Sequence, residues 1–202
     1  AAFVNHFDNM TEFSFGFWGN TPNPFNNIGF KSLNVGPTEI RGFEATVTSQ
    51  GKIGPVSLRL LTGYSFMNPV SLDPSYVYAQ YTKSGGGKED VTYQSTSSDP
   101  SNNVLKYRYK NLFRFDVLLE FKGVGLGTSI KYNDYMQNID KVFEESLGSF
   151  ELFPGIKESR QINPNGDLII DMRVYYDVTV NWRVSFIVDN VTNREVVQRP
   201  SQ

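Results

Sequence analysis

The sequence contains no cysteine and only one histidine, His6, among its 202 residues. Disulfide bonds and thiolate metal sites are therefore excluded, and a multi-histidine metal centre cannot be built. The motifs of nucleophile elbows, zinc proteases and phosphate loops are also missing. We therefore expect no enzymatic activity, no catalytic residues, no metal site and no cofactor.

Long apolar runs and an excess of basic charge are missing as well. No stretch of about 18 apolar residues occurs, which excludes a transmembrane helix. The formal net charge is -2 and the isoelectric point is about 5.5, so nucleic acid is not an expected partner. The mean hydropathy of -0.35 remains compatible with a membrane barrel, because its strands present only alternate residues to lipid.

Alternation of apolar and polar residues is the main pattern that the sequence contains. In LFRFDVLLEF, residues 112–121, three phenylalanines have one parity and two acids and an arginine have the other. Successive side chains of a strand point to opposite faces, so this pattern predicts one dry and one wet face. We expect this strand to begin further upstream, so that it also includes residues 107–111. Six further segments alternate in the same way: 2–17, 38–50, 55–66, 124–132, 170–177 and 182–189.

Short and long connections alternate between these segments, which is typical of antiparallel outer-membrane barrels. For the hairpin around residues 122–123 the pattern predicts that Phe121 lies opposite Val124. For the hairpin around residues 51–54 it predicts that Ser49 lies opposite Val56. Both registers place apolar residues opposite apolar residues.

We therefore predict an all-β fold, an antiparallel transmembrane β-barrel. A closed barrel needs about eight strands or more, so we expect residues 1–202 to be seven consecutive strands of a larger barrel. A soluble extracytoplasmic β-sandwich that binds glycans has the same alternation and remains an alternative. A barrel subunit with a structural role in an outer-membrane complex is a second alternative.

The two faces of the predicted strands have different expected environments. The polar face is expected to line the barrel lumen: Glu44, Arg59, Arg114, Asp116, Glu120, Lys131, Asp171, Arg173, Arg183 and Asp189. The apolar face is expected to contact lipid: Leu58, Leu60, Phe113, Phe115, Val117, Ile130, Val174, Val184 and Phe186. Cross-strand ion pairing explains the lumen charges better than catalysis does.

Three specific neighbours are expected among the lumen charges. Arg59 is expected diagonal to Glu44, Lys131 diagonal to Asp116, and Arg183 opposite or diagonal to Asp177. In the long connection after residue 68, we expect tyrosines to contact an incoming solute, since they combine large contact area with a hydrogen-bonding tip. These candidates are Tyr76, Tyr78 and Tyr81.

Three segments resemble TonB-dependent outer-membrane receptors. NIGFKSLNVGPTEIRGFEATV, residues 27–47, resembles a strand of that family with a Gly-hydrophobic-Glu signature, here Gly42, Phe43 and Glu44. Residues 109–144 resemble the hairpin and loop that follow. Residues 167–200 resemble the near-terminal hairpin, with the Val-x-Asn-hydrophobic-Thr-Asn ending at Val188 to Asn193.

This resemblance implies a location in the bacterial outer membrane and a 22-stranded barrel with an N-terminal plug. Residues 1–202 would be the C-terminal portion of the barrel domain, with the plug and the final strand outside this stretch. The family imports large scarce solutes, such as iron-siderophores, haem, cobalamin or glycans. The implied partners are outer-membrane lipid, the solute, other outer-membrane complex components, and TonB-ExbB-ExbD through the N-terminal part.

Overall fold

The computed structural model describes residues 1–18, 28–82, 86–147, 150–151 and 153–194. A seven-stranded antiparallel sheet, the main sheet, forms the main body. Its strands are β1 (Ala2–Phe7), β4 (Thr38–Ile53), β5 (Val56–Ser71), β8 (Asn111–Phe121), β9 (Val124–Asn133), β12 (Asp167–Thr179) and β13 (Trp182–Val188). They are neighbours in this order, β1-β4-β5-β8-β9-β12-β13.

The long connections carry their own structure. Within the described residues they contain three small antiparallel hairpins, two short α-helices and a 3₁₀ turn at Lys141–Phe143. The hairpins and helices are β2 (Thr11–Phe17) with β3 (Ile28–Asn34), β6 (Val77–Thr82) with β7 (Lys88–Thr92), β10 (Ser146–Leu147) with β11 (Phe150–Glu151), α1 (Tyr93–Thr96) and α2 (Ile156–Ile162). We call these connections together the loop assembly.

Tight turns join neighbouring strands at one end of the main sheet. Lys122 and Gly123 connect β8 to β9 with φ values of +47° and +81°, and two-residue hairpin loops favour such positive angles because they match the strand twist. Gly54, with φ +59°, begins the turn between β4 and β5. The loop assembly lies at the opposite end, so the predicted alternation of short and long connections is confirmed.

The predicted register is confirmed for one hairpin and wrong for the other. Phe121 lies opposite Val124, as expected. Ser49 lies opposite Leu60 instead of Val56, because the ladder continues through Ile53 and the turn is shorter than predicted. The difference is four residues, an even number, so every side chain keeps its predicted face.

Two predicted strands have different limits in the structure. The segment 2–17 divides into β1, which joins the main sheet, and β2, which leaves it to pair with β3. The expected extension of β8 through residues 107–110 is wrong. Tyr107 has a φ of +56°, and its backbone N–H donates to the Asn138 carbonyl oxygen at 2.9 Å, so contacts with another loop replace the ladder there.

The buried apolar side chains lie almost entirely in the loop assembly. One cluster contains Val35, Tyr93 and Leu105, with Met10 and Tyr78 packed against it. A second cluster contains Met136, Ile139 and Phe143, with aromatic neighbours from other loops. Two apolar side chains of the main sheet are buried among the described residues: Pro69, near the loop assembly, and Tyr175, on the polar face.

Candidate functional site

The polar residues of the main sheet share one face. The register places Leu61, Asp116, Ser129 and Asp171 in one cross-strand row. All ten predicted lumen residues have the parity of this row: Glu44, Arg59, Arg114, Asp116, Glu120, Lys131, Asp171, Arg173, Arg183 and Asp189. We call this face the polar wall.

Charges of opposite sign alternate from row to row along the polar wall. The row that contains Asp116 and Asp171 lies between a row with Arg114 and Lys131 and a row with Arg59 and Arg173. Such neighbours attract each other across strands, and each pair adds a modest stabilisation of about 0.2 to 1 kcal/mol. Arg114 and Lys131 lie directly opposite each other within their row, and the acids of the next row offset the repulsion between them.

Ion pairs connect these rows. The Arg114 Nε atom lies 2.6 Å from Asp116 Oδ2, and Lys131 Nζ lies 3.2 Å from Asp171 Oδ2. Lys131 is diagonal to Asp116, as predicted, but its ion pair is with Asp171 on the following strand.

The predicted position of Arg183 is confirmed, whereas that of Arg59 is wrong. Arg183 lies opposite Asp177 and donates to both of its carboxylate oxygens, at 2.6 and 3.0 Å. Because the β4–β5 register is displaced by four residues, Arg59 lies opposite Gln50 and is remote from Glu44. Its guanidinium instead lies 3.4 Å from Glu120.

Tyr175 connects four strands at the tight-turn end of the polar wall. Its ring covers Gly125 on the neighbouring strand, where a Cβ atom would overlap it. The Tyr175 hydroxyl donates to Glu120, and the Arg183 guanidinium lies 3.8 Å from the centre of the ring. An aromatic side chain thus fills the space that a strand glycine leaves open, a known way to support glycine in a sheet.

A cavity of about 540 Å³ lies on the polar wall. Its lining includes residues from six strands, β4, β5, β8, β9, β12 and β13. Six consecutive neighbours can line one cavity only if the sheet curls around it, so the polar wall is concave. We call this space the wall cavity. A second cavity of about 410 Å³ lies on the same face nearer the loop assembly, next to Glu44, Arg114 and Lys131.

The opposite face of the main sheet is apolar and has no covering layer among the described residues. The nine predicted lipid-facing residues all have its parity: Leu58, Leu60, Phe113, Phe115, Val117, Ile130, Val174, Val184 and Phe186. Val184 and Phe186 are 63% and 71% exposed. An apolar face this extensive marks a contact with a membrane or another protein.

Aromatic residues occur near both ends of this apolar face. Tyr64, Phe113 and Tyr132 form one cross-strand row near the loop assembly, and Phe43 packs against Tyr64 with ring centroids 5.7 Å apart. Phe121, Tyr176 and Trp182 lie near the tight turns. Phe121 lies eight positions after Phe113, or about 27 Å further along the strand. This matches an apolar band flanked by aromatic girdles.

A buried ion pair holds the loop assembly together. Lys106 Nζ lies 2.7 Å from Asp140 Oδ1, and the two side chains are 4% and 1% exposed. The Asp140 carboxylate also accepts bonds from Ser14 Oγ at 3.1 Å, the Phe15 backbone N–H at 2.9 Å and the Tyr107 hydroxyl at 2.8 Å. One carboxylate therefore joins β2, the segment before β8 and the segment after β9.

Burial changes the titration of the groups around Asp140. Loss of solvent lowers the pKa of Lys106, while the nearby Asp140 carboxylate opposes that shift. Loss of solvent raises the pKa of the Tyr107 phenol, and the negative charge of Asp140 raises it further. The raised pKa keeps the Tyr107 phenol protonated, so its hydroxyl donates to Asp140.

Asn138 makes a second connection within the loop assembly. Its side-chain Nδ2 donates to the carbonyl oxygens of Asn102 at 2.8 Å and Val104 at 3.0 Å, and its Oδ1 accepts from the Asp99 N–H at 3.0 Å. Arg108 also contacts Glu12, with Nη2 2.7 Å from Oε1. None of these residues is expected from the sequence, because their segments are irregular and no periodic pattern marks their partners.

The three tyrosines expected to contact a solute have different surroundings. Tyr78 packs against the first apolar cluster, and its hydroxyl bonds to Thr96 Oγ1 at 2.8 Å. The Tyr81 hydroxyl donates to Glu89 at 2.7 Å. Tyr76 is 38% exposed and lies across Gly36. Of the three, Tyr76 offers the largest free ring surface.

Within the described ranges, no group of three or more His, Asp or Glu residues is arranged to hold a metal ion. No helix in the same part of the chain is both long and apolar enough to cross a bilayer.

An antiparallel sheet that curls around a charged face and exposes an apolar face with aromatic ends defines the wall of an outer-membrane β-barrel. The family described as TonB dependent receptor-like, beta-barrel matches residues 1–191, and the chain belongs to this family. Comparison with curated proteins and with solved structures found no match. The family is one of outer-membrane transporters that depend on TonB, and it is not an enzyme family.

Proposed function

We propose that residues 1–202 form seven consecutive wall strands of a larger, 22-stranded barrel whose plug domain and final strand belong to other parts of the protein. The main observation in support is that the sheet curls around its polar wall while the apolar face stays uncovered. A sheet of seven strands has two edges whose backbone groups need partners in lipid, so further strands are required to close it.

The same proposal gives the polar wall and the loop assembly separate roles. The ten charged residues of the polar wall face the lumen and bind water or the plug, and the nine apolar residues listed above face lipid. The loop assembly lies at the mouth, on the outer side of the membrane, where Tyr76 provides an exposed ring for the arriving solute.

The transported solute belongs to one of the large scarce classes, namely iron-siderophore, haem, cobalamin or glycan. TonB-ExbB-ExbD supplies the energy through the N-terminal part of the protein. Growth of a deletion strain with each class as the limiting nutrient tests this step. A defect with one class, reversed by the intact gene, identifies it, and normal growth with all classes argues for the structural barrel subunit.

Spin labels on single cysteines along β8 of the full-length protein test the face assignment. Labels at Phe115 and Val117 are expected to be relaxed more by oxygen, which concentrates in lipid. Labels at Leu112 and Leu118 are expected to be relaxed more by a water-soluble nickel chelate. A soluble sandwich would instead leave the first two labels inaccessible to both reagents, and that result would contradict the proposal.

A further inference from the structure

Arg173 differs from the other basic residues of the polar wall. In the part of the chain that the structure describes, it is in no ion pair. Each of the other four basic residues from β5 to β13 has an acidic partner: Arg59 with Glu120, Arg114 with Asp116, Lys131 with Asp171, and Arg183 with Asp177. The donors of the Arg173 guanidinium are therefore available to a ligand.

The backbone around Arg173 holds its side chain across the neighbouring strand. Arg173 lies opposite Gly127, and a Cβ atom at Gly127 would come within 2.7 Å of Arg173 Cγ and closer still to Nε. Gly127 is itself buried beneath this side chain. Because Gly127 has no side chain, it leaves a trough in the sheet surface. The Arg173 side chain lies in this trough and extends towards Leu118, the next residue in the same row.

The wall cavity surrounds this guanidinium with hydrogen-bonding groups. Arg59 follows Leu118 in the same row, and Gln50 lies opposite Arg59. Two of the acids that line the wall cavity already have a basic partner. Asp116 forms an ion pair with Arg114, and Asp171 forms one with Lys131. Asp189 also lines it but forms no ion pair with Arg173 in this structure.

We propose that Arg173, together with Arg59 and Gln50, forms a binding site for an anionic group, a carboxylate or a phosphate, on the lumen side of the barrel. A guanidinium presents two parallel donors that match the two oxygens of such a group. This inference rests on the proposed function, because it requires the polar wall to face water. The anion is part of a solute in the lumen or a carboxylate from another part of the same protein.

A cysteine at Leu118 reports on this site in the full-length receptor, with any other cysteine replaced. The rate of its reaction with neutral hydroxyethyl methanethiosulfonate is measured as inorganic phosphate is increased at constant ionic strength. Phosphate is expected to slow the reaction saturably, by about fivefold, as bound anion covers the thiol. The effect is expected to vanish in Arg173→Gln, to weaken in Gly127→Ala, and to strengthen in Asp189→Asn, which removes the competing acid.

Other results of this experiment distinguish the source of the anion, the failure of the anion site and the failure of the proposed function. A reaction that is slow without phosphate and accelerates in Arg173→Gln shows that a carboxylate of the protein itself occupies the site. A fast reaction that neither phosphate nor Arg173→Gln alters overturns the anion site but leaves the proposed function intact. No reaction at Leu118 together with reaction at Val117 overturns both, because the polar wall would then face away from water.

Discussion

Lys106 and Asp140 lie 34 positions apart in the sequence and form a buried ion pair, with Nζ 2.7 Å from Oδ1. A buried pair does not guarantee stability, because removing two charges from water costs free energy. Here the carboxylate has three further donors and the ammonium also donates to Thr96 Oγ1 at 2.6 Å, so the cost of burial is offset. The Asp140 carboxylate therefore links three separate connections of the main sheet to one another.

Replacement of Asp140 by Asn is expected to loosen the loop assembly. The Lys106 ammonium would stay buried without its counter-charge, a change that costs about 3 to 5 kcal/mol in comparable sites. Hydrogen exchange of the full-length receptor is expected to accelerate in peptides that cover residues 93–110, while peptides from β8 and β9 keep their protection.

Glu145→Gln is the matched control for this experiment. It removes the exposed pair between Lys141 Nζ and Glu145 Oε1, which are 2.9 Å apart, with side chains 41% and 55% exposed. Exposed pairs of this kind contribute less than about 0.5 kcal/mol. Equal exchange in the two variants would show that the buried pair does not fasten the loops.

The β6–β7 hairpin is expected to lose stability in alkaline solution. Loss of solvent and the hydrogen bond to Glu89 raise the pKa of Tyr81 to about 12. The unfolded hairpin releases this proton near pH 10, so the stabilisation is complete below pH 10 and is lost as the pH rises to about 12.

A titration of the tyrosinate absorbance at 295 nm, compared with Tyr81→Phe, measures this ionisation. The difference between the two proteins is expected near pH 12. A difference centred near pH 10 would indicate that the Tyr81–Glu89 hydrogen bond is not formed.

An arginine at Val117 is expected to impair barrel assembly. Val117 lies in the middle of β8 on the apolar face, where an arginine near the bilayer midplane costs about 2 to 4 kcal/mol. Leu112→Arg is the control, since it introduces the same residue into β8 on the polar wall, opposite the uncharged Ser65 and Asn133. The folded fraction is measured by heat-dependent gel mobility, and equal fractions for both variants would contradict the assignment of faces.

Alanine at Gly125 is expected to destabilise the sheet through Tyr175. The added methyl group would overlap the ring, and such overpacking costs about 1 to 3 kcal/mol. Gly63→Ala is the control, because the nearest atom to an added Cβ there is Thr46 Oγ1 at 3.7 Å.

Tyr175→Ala supplies the complementary variant for urea unfolding. Combined with Gly125→Ala, it is expected to lose less stability than the sum of the two single changes. Additive losses would show that the ring does not rest on Gly125.

The main sheet could be predicted from the sequence because its signal is local. The alternation around Phe113, Arg114 and Phe115 is visible in consecutive residues. In the structure the ten residues expected in the lumen share one face of the sheet, and the nine expected in lipid share the other. The β4–β5 register was harder to predict, since displacement by an even number of residues keeps the same alternation. Because the predicted register was displaced by four residues, the predicted partner of Arg59 was wrong.

The sequence by itself determined an antiparallel wall with one charged and one apolar face, because side chains alternate along any strand. Only the tertiary structure decided the loop assembly. Lys106 meets Asp140 across 34 positions of the chain and Asn138 meets Asn102 across 36, and no local period encodes such contacts. The same holds for Arg173, whose lack of an acidic partner depends on how three neighbouring strands place their charges.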